Sequence, residues 1–381
     1  MSHPLYIDPT NPSLPGLSGM GEPWRGLAQK VVAGQRISDE EALLLLNEAE
    51  LPYLGMLANR VRERLNGNLV CFNRNFHIEP TNICRYHCRF CSYRRTAGAP
   101  DSWDYSLSEM LSTVQAKVAE GATEVHVVGA VYPGRGLLAA IELIGAIRAV
   151  APLLHIKAYS AVELDYMFSA DGVEPTEGLL RLKEAGLNSL PGGGAEIFDS
   201  EIRRAICPEK TDSQTWLNLH EAAHRLSIPS NATMLYGHIE SGSHRIDHMA
   251  RLRDLQDRTG GFNCFIPLKF REQNNELGLS VQERGLAEDL RMYAVARIYL
   301  DNFRHLKAYW PMLGKEGAMV ALSYGVDDLD GTIDDTTRIY SMAGAEEQNP
   351  SMNSQQMAHL IRAAQRTPVE RDSLYNIIGE F

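Results

Sequence analysis

Apolar runs that alternate with amphipathic stretches place the strongest constraint on how this chain can fold. Between the runs, apolar residues recur at three- and four-residue spacing, which is typical of helices that bury one face. Strands that alternate with helices form parallel βαβ units, and eight units over roughly 250 residues fit a closed barrel better than an open sheet. The candidate strands are FHIEP (76–80), EVHVVGA (124–130), HIKAYS (155–160), LNSLPGG (187–193), NATMLYG (231–237), NCFIPLKF (263–270), HLKAYW (305–310) and MVALSYG (319–325).

The sequence therefore predicts an α/β fold, a (β/α)8 TIM-type barrel with helical segments at both ends. Upstream of the barrel, the chain predicts two helices separated around Leu51 and Pro52. Ser38 is a candidate N-cap, with Glu41 three residues later as in a capping box. SQQMAHLIRAAQR near the C-terminus predicts one more helix. The predicted organisation is an N-terminal arm and helical extension over 1–69, the barrel over 70–345, and a C-terminal helical tail over 346–381.

The composition and the charge limit the classes of function. With 44% apolar and 22% charged residues, the chain has an ordinary soluble globular composition, and no apolar run approaches the length of a bilayer span. The N-terminus MSHPLYIDPTNPSLPG lacks a basic segment followed by an apolar one, which predicts an extended Pro-rich arm rather than a secretory signal. The net charge of −11 disfavours nucleic acid, because phosphate contacts need clustered Lys and Arg. We therefore expect a cytoplasmic protein that binds neither nucleic acid nor membrane.

Three of the six cysteines, Cys84, Cys88 and Cys91, lie close together in TNICRYHCRFCSYRR, directly after the first predicted strand. A disulfide is disfavoured in a cytosolic chain. A structural zinc site would take His87 as its fourth ligand, and that ring would have to bend back sharply beside Cys88. The favoured interpretation is an iron–sulfur cubane held by three thiolates. One iron of such a cubane stays open to an exogenous chelator, as S-adenosylmethionine radical chemistry requires.

The barrel prediction places these cysteines at a ligand site. Active-site residues of such barrels follow the C-terminal ends of the strands. The other strand ends carry polar, glycine-rich segments, whereas the opposite rim has short connections such as EGATE, and this asymmetry predicts a large ligand site on the first rim. The segments are GAVYPGRG, SAVELD, PGGGAEIF, GHIESGSHR, KFREQNN, WPMLG and GVDDLDG.

The cysteine stretch and several longer strings resemble a known family. C-x3-C-x-F-C, with Phe90 before the last cysteine, is similar to the signature of the radical S-adenosylmethionine (SAM) superfamily, whose barrel carries its cluster loop after strand 1. Over roughly residues 70–345 the chain resembles the aminofutalosine (aminodeoxyfutalosine) synthase family within that superfamily. The strings that carry this resemblance are HIEPTNIC, LPGGGAEIFD, NATMLYGHIE, LQDRTGGF, FIPLKF and GVDDLDGT.

The resemblance implies an unusual use of the radical. A [4Fe–4S] cluster with three Cys ligands would cleave SAM, and the 5′-deoxyadenosyl radical would add to the vinyl carbon of 3-[(1-carboxyvinyl)oxy]benzoate. Aryl transfer and loss of carbon dioxide would give 6-amino-6-deoxyfutalosine for menaquinone biosynthesis. SAM would be consumed as a cosubstrate, and an electron donor such as flavodoxin or ferredoxin would be a partner. The alternative is a sister radical enzyme, dehypoxanthine futalosine cyclase or a deazaflavin (FO) synthase subunit.

The resemblance also implies residues around SAM. Cys84, Cys88 and Cys91 would hold the cluster, and Tyr93 resembles a family position near the adenine. Ile239, with Gly237, resembles the segment that packs on the adenine. Many members of the superfamily carry Gly-Gly-Glu after strand 2 to hold the methionine amino group, whereas this chain has Gly129 without a glutamate.

Other residues around SAM are suggested by their places at the strand ends. Ser160 could hydrogen-bond the ribose or the methionine carboxylate, or it could cap the next helix in a capping box with Glu163. Glu196, at the end of PGGGAE, could accept from a ribose hydroxyl or from the amino group, and a plain turn is the alternative.

The proposed substrate carries two carboxylates, so its pocket needs cations. Lys269 and Arg271 after strand 6, and Lys307 in strand 7, are the first candidates, since a guanidinium binds a carboxylate in bidentate fashion. His238 could donate to the migrating oxygen. Positive charge near the thiolates could come from three arginines of the cysteine stretch, each of which could equally lie on a solvated loop face: Arg85, Arg89 and Arg94.

Overall fold

A computed structural model describes residues 21–330, 338–345 and 350–381 of the chain. The Pro-rich arm predicted at the N-terminus lies almost wholly outside these residues. Among the helices of the described ranges, none combines the length and the apolar character that a bilayer crossing requires.

Fifteen helices occur in the described residues, and local sequence signals begin several of them. Ser38 with Glu41 and Ser106 with Glu109 form capping boxes, so the predicted start of the second helix is confirmed. The helices are α1 Trp24–Val32, α2 Asp39–Glu48, α3 Leu51–Asn66, α4 Leu107–Ala119, α5 Leu137–Val150, α6 Ala161–Asp171, α7 Pro175–Ala185, α8 Ser200–Ile206, α9 Ser213–Arg225, α10 Gly242–Thr259, α11 Leu286–Tyr299, α12 Trp310–Leu313, α13 Lys315–Ala321, α14 Ile339–Met342 and α15 Ser354–Ala363.

The strands form a parallel barrel wall, as the sequence predicts. β2, β3 and β4 pair in order, single bridges at Ser189 and Leu190 continue to β5, and β6, β7 and β8 follow. The strands are β1 Leu69–Phe72, β2 Asn75–Ile78, β3 Glu124–Val127, β4 His155–Ala158, β5 Ser230–Tyr236, β6 Phe262–Lys269, β7 His305–Ala308, β8 Asp328–Leu329, β9 Thr367–Arg371 and β10 Ile377–Glu380.

Two of the eight predicted strands differ from the structure. MVALSYG is not a strand, because its first residues lie in α13, and the eighth strand is Asp328–Leu329. A short apolar run has no period that separates a buried helix from a buried strand, which explains the error. LNSLPGG forms only the bridges at Ser189 and Leu190. Pro191 follows them directly and has no N–H for a ladder.

The C-terminal tail adds strands that the sequence analysis missed. The predicted helix is present as α15, and after it β9 pairs in parallel with β1 while β10 pairs antiparallel with β9. Arg371, at the end of β9, donates from Nε and Nη2 to both oxygens of Asp328 in β8, at 3.0 and 2.7 Å. Both side chains are buried. The tail is therefore tied to the barrel wall by an ion pair in its interior.

The N-terminal helices cover the outside of the barrel. α3 packs against α11, and α2 packs against α10. Arg62 of α3 is fully buried and donates to the carbonyl of Val326 at 3.0 Å and to that of Leu69 at 2.7 Å. This guanidinium joins the helical extension to β1 and to the segment before β8.

The Arg371–Asp328 pair predicts a large effect on stability. We expect Arg371→Met to lower the free energy of unfolding by about 3 kcal/mol, because it leaves a buried carboxylate without its bidentate partner. Urea denaturation followed by circular dichroism measures this change. The control is Arg36→Met, since Arg36 pairs with Asp257 at 2.6 Å but has a side chain that is 42% exposed. That variant should lose less than about 1 kcal/mol, and equal losses would contradict the prediction.

Candidate active site

A cavity of about 330 Å³ lies inside the barrel, beside the cysteine stretch. It runs from the loops after the strands down to Asn75 and Glu124, which are the first residues of β2 and β3. Barrels of this kind usually fill their interior with apolar side chains. An open interior is therefore room for a ligand.

The three clustered cysteines line this cavity together. The loop that carries them is fixed by backbone hydrogen bonds, because Cys84 N–H donates to the Arg95 carbonyl at 3.1 Å and Arg89 N–H to that of Ile206 at 2.8 Å. All six cysteines of the chain are described, and all are free thiols. Burial raises the pKa of Cys88 and of Cys91, and the backbone N–H groups of Arg94 and Tyr93 oppose this for Cys91. Three thiols that line one cavity from a single loop fit a three-ligand cubane.

The zinc alternative finds no fourth ligand in this loop. The His87 side chain is 62% exposed, its Nδ1 lies 3.3 Å from Glu209, and it does not line the cavity. Over the described part of the chain, no three His, Cys, Asp or Glu side chains converge on a position for a single metal ion. The loop geometry therefore favours a cluster over a zinc ion.

A buried ion pair lies behind the thiols. Lys210 contacts Glu196, and its ammonium lies 5.4 Å from the centre of the Phe90 ring. Burial alone would lower the pKa of Lys210, but Glu196, Cys88 and Cys207 together raise it, so the ammonium stays charged. Sequence analysis missed Lys210 because it follows no strand end, although it adds positive charge near Cys88.

The three glycines before Glu196 differ in whether packing or backbone conformation requires a glycine at their position. A Cβ on Gly192 would lie 2.7 Å from the carbonyl of Asn231, and Gly194 has a φ of +85°. Packing and backbone conformation therefore require these two glycines whether or not a ligand binds. Gly193 is different, because a Cβ there would meet only Ser160, at 3.6 Å.

Glu163 lies in the first turn of α6, shortly after the end of β4. Ser160 and Glu163 form a capping box at the start of α6, and both line the cavity. Glu163 Oε1 also accepts from the Gly129 N–H at 3.1 Å. Burial raises the pKa of Glu163 to about 7, although its hydrogen bonds from Ser160 and Gly129 favour the charged form. A carboxyl group thus stands beside Gly129, where the sequence itself carries no glutamate.

One wall of the cavity is polar. His77, His126 and Lys157 lie in register on β2, β3 and β4, and Lys157 Nζ donates to Glu124 at 2.8 Å. Burial, followed by the charges of His77 and Lys157, lowers the pKa of His126, so its ring is neutral. Three buried atoms on this wall find no hydrogen-bond partner within the described residues: Asn75 Oδ1, Glu124 Oε2 and His126 Nε2. Such atoms need a ligand or water.

The opposite wall is apolar and aromatic. Its side chains come mainly from β6 and from the segments after β6 and β7. They are Leu235, Ile266, Leu268, Phe270 and Tyr309, with Ile339 and Tyr340 beyond them. The sequence analysis named neither wall, since its candidates came from the ends of strands. Polar residues at alternate positions in FHI, EVHV and HIKA were a signal that could have identified the polar wall.

The structure separates the remaining predicted residues into two groups. Tyr93 lines the cavity and donates to the Thr81 carbonyl at 3.2 Å. Lys269 and Arg271 also line it, but both are paired with carboxylates. Lys269 Nζ lies 3.1 Å from Asp289, and Arg271 Nε lies 3.1 Å from Glu283. These pairs reduce what either cation can offer to a ligand.

His238, Ile239 and Lys307 do not line the cavity. β5 ends at Tyr236, and the chain turns at Gly237, which has a φ of +89°. The His238 ring is consequently buried beside Glu240, and the Ile239 side chain is 40% exposed. Lys307 is buried against Asp330 at 3.2 Å. The turn thus moves His238 and Ile239 away from the predicted site.

Comparison with known proteins identifies the chain's relatives. The radical SAM superfamily profile matches residues 78–252, and the profile of the CofH/MqnC C-terminal region matches residues 259–379. Aminodeoxyfutalosine synthase of Thermus thermophilus is 42% identical over 92% of this chain and 94% of the relative.

Two relatives with other names are less similar. A 5-amino-6-(D-ribitylamino)uracil–L-tyrosine 4-hydroxyphenyl transferase of Methanoculleus marisnigri is 38% identical over 82% of this chain and 87% of its own length. Cyclic dehypoxanthine futalosine synthase of Streptomyces coelicolor is 36% identical, with coverage of 92% and 87%. Among solved structures, the FeFe-hydrogenase maturase HydG of Carboxydothermus hydrogenoformans superposes with a TM-score of 0.72 at 19% identity, over 93% of this chain and 81% of that one. This likeness supports the barrel fold.

The thiol geometry predicts which cysteines retain iron. We expect Cys84→Ala, Cys88→Ala and Cys91→Ala each to lose most of the iron and sulfide bound after anaerobic reconstitution, because each removes one of the three ligands assigned to the cluster. Cys264→Ala is the control, since Cys264 is buried elsewhere in the barrel. Iron and sulfide analysis, with visible absorption spectra, gives the result. Full iron content in any of the three variants would contradict the assignment.

The buried carboxyl predicts a dependence of stability on pH. Between its ordinary pKa of 4.5 and its raised pKa of about 7, folded Glu163 keeps a proton that the unfolded chain has released. Native stability from this residue is therefore lost as the pH rises through that window. Relative to Glu163→Gln, the wild type should lose up to about 3 kcal/mol between pH 5 and pH 8.

Urea denaturation of the protein without SAM at both pH values measures this difference. Glu109→Gln is the matched control, because Glu109 closes the same kind of capping box on the surface and its hydrogen bonds to Ser106 lower its pKa. Its effect should have the opposite sign. Parallel pH profiles for the wild type and Glu163→Gln would contradict the prediction.

Proposed function

The chain belongs to the radical SAM superfamily, in the family that includes the aminodeoxyfutalosine synthases, and we propose that it catalyses the aminodeoxyfutalosine synthase reaction. It is an enzyme that forms a carbon–carbon bond by radical chemistry, and its superfamily uses a [4Fe–4S] cluster and SAM. The observation that carries the finer assignment is the similarity to the Thermus enzyme over nearly the whole of both chains, which exceeds that to the sister enzymes.

In this proposal Cys84, Cys88 and Cys91 hold the cluster, and Tyr93, Gly129, Ser160, Glu163 and Glu196 surround SAM. All of these residues line one cavity, which supports the assignment. When bound there, a [4Fe–4S] cluster would supply the electron for the cleavage of SAM, and a small carrier such as flavodoxin or ferredoxin would reduce it. Glu163 is our candidate for the methionine amino group.

Glu163 suits that role because of its free acceptor capacity. Its Oε1 accepts one hydrogen bond, from Gly129, and a carboxylate oxygen can accept a second. A cationic amino group would also favour the ionised form of this buried carboxyl. The residue would thereby take the place of the glutamate that many members of the superfamily carry after their second barrel strand, which is β3 in this chain.

The two walls of the cavity support an aryl ether as the other substrate. The aryl ring of 3-[(1-carboxyvinyl)oxy]benzoate fits the apolar wall around Ile266 and Leu268. Its ring carboxylate would then face Lys157, which uses one of its three N–H donors on Glu124. The vinyl carbon would lie toward the cysteine loop, on the side from which the 5′-deoxyadenosyl radical would add to it. The surrounding barrel would keep water away from the bound substrates during the aryl transfer and loss of carbon dioxide.

Product analysis tests the proposed reaction. The anaerobically reconstituted and reduced enzyme is incubated with SAM and 3-[(1-carboxyvinyl)oxy]benzoate. The products are separated by chromatography, then identified and quantified by mass spectrometry. We expect 6-amino-6-deoxyfutalosine and methionine in equal amounts, with little free 5′-deoxyadenosine.

Parallel reactions with dehypoxanthine futalosine, and with tyrosine plus 5-amino-6-(D-ribitylamino)uracil, test the sister activities. Turnover of either, with no product from the vinyl ether, would overturn the proposal in favour of that sister enzyme. SAM cleavage without any adduct from the three reactions would leave the superfamily chemistry intact but reject the proposed substrate.

A further inference from the structure

The cations that line the cavity differ in how fully they are neutralised. Four of them are already paired with carboxylates of the described residues: Lys157 with Glu124, Lys210 with Glu196, Lys269 with Asp289 and Glu283, and Arg271 with Glu283. An anionic ligand at any of these four would have to share the cation with a carboxylate of the protein, as the substrate carboxylate that we place at Lys157 would share it with Glu124.

Arg94 is the fifth cation, and its guanidinium has no hydrogen-bond or ion-pair partner in the described part of the chain. Its Nε is buried without a partner. The charge of Arg94 contributes to the lowered pKa of Glu209. Glu209 itself accepts from the His87 N–H at 2.7 Å and forms no ion pair with Arg94. A buried guanidinium nitrogen without an acceptor is costly. The arrangement therefore calls for an acceptor that a ligand brings.

The other arginines of the cysteine stretch are engaged elsewhere. Arg89 Nε donates to Glu276 at 2.7 Å, and Arg95 Nε donates to Asp101 at 2.6 Å. The Arg85 guanidinium lies 5.0 Å from the centre of the Tyr166 ring and lines a separate cleft. Of these four guanidinium groups, only that of Arg94 lines the cavity.

Arg94 lies at the end of the cavity that is formed by the cysteine loop. It lies three residues after Cys91 in the same loop, and both residues line the cavity. The side chain therefore starts where the cysteine loop meets the cavity. We propose that Arg94 binds a carboxylate of a bound ligand there, through the bidentate contact that a guanidinium provides.

This assignment rests on the proposed function for the identity of the ligands. Two ligands supply the same chemistry: the methionine part of SAM carries one carboxylate, and the aryl ether carries two. The experiment therefore measures the binding of each ligand separately, with the cluster oxidised so that no turnover occurs.

The variants are Arg94→Gln, which removes the charge, and Arg94→Lys, which keeps it. Arg89→Gln is the matched control, since Arg89 belongs to the same loop but pairs with Glu276 outside the cavity. Calorimetric titration measures the Kd of SAM, of decarboxylated SAM and, with SAM present, of 3-[(1-carboxyvinyl)oxy]benzoate. Iron content and melting temperature establish that each variant is folded and loaded.

We expect Arg94→Gln to weaken the binding of one ligand by about 10- to 100-fold, because a charged hydrogen-bonded contact is lost. If that ligand is SAM, the variant and the wild type should bind decarboxylated SAM equally well. If it is the aryl ether, the Kd of SAM should stay unchanged. Arg94→Lys should lie between the two, and Arg89→Gln should match the wild type.

Unchanged Kd values for both ligands in a fully loaded Arg94→Gln enzyme would overturn the proposal. Loss of the cluster from both Arg94 variants would overturn it too, because Arg94 would then hold the cluster loop. A wild-type enzyme that binds SAM but not the aryl ether would instead reject the proposed function, and the SAM titrations would still decide the role of Arg94.

Discussion

The buried carboxylates of Asp328 and Asp330 organise the part of the barrel on which the rest of the structure depends. Asp328 joins Arg371 of β9 to the wall, with Tyr375 donating at 2.6 Å, and Asp330 accepts from Asn75 of β2 at 2.9 Å and from Lys307 of β7 at 3.2 Å. These contacts connect the last barrel strands to the first strand and to the C-terminal tail. Buried charges of this kind are tolerated because each is paired and hydrogen-bonded.

The same principle distributes polarity inside the barrel. β2, β3 and β4 turn His77, His126 and Lys157 inward, whereas β6 presents the apolar side chains of Ile266 and Leu268 to the cavity. An interior built in this way leaves space that apolar layers would otherwise fill, and it leaves polar atoms such as Glu124 Oε2 without a hydrogen-bond partner among the described residues. The cavity therefore depends both on the absence of apolar side chains that would fill the interior and on the polar side chains that line it.

The cysteine loop forms the top of this cavity, and its surroundings determine the charge around it. Lys210 adds a buried positive charge near Cys88, and Glu163 places a carboxyl beside Gly129. Lys269 and Arg271 are paired with carboxylates of the protein, so their presence near the cavity does not by itself make them ligands of the substrate. The guanidinium of Arg94 has no hydrogen-bond or ion-pair partner in the part of the chain that the structure describes, which is why it carries our inference about carboxylate binding.

The sequence by itself determined the features that a few neighbouring residues encode: the C-x3-C-x2-C spacing, the capping box of Ser38, the alternation that predicts the barrel, and the family. It misplaced the eighth strand, because a short apolar run has no period that separates helix from strand. Only the tertiary structure decided which charges are already paired. Lys157 pairs with Glu124, 33 residues away in the chain, and Arg371 pairs with Asp328, 43 residues away. No local pattern records such pairings, since they exist only once the strands are side by side.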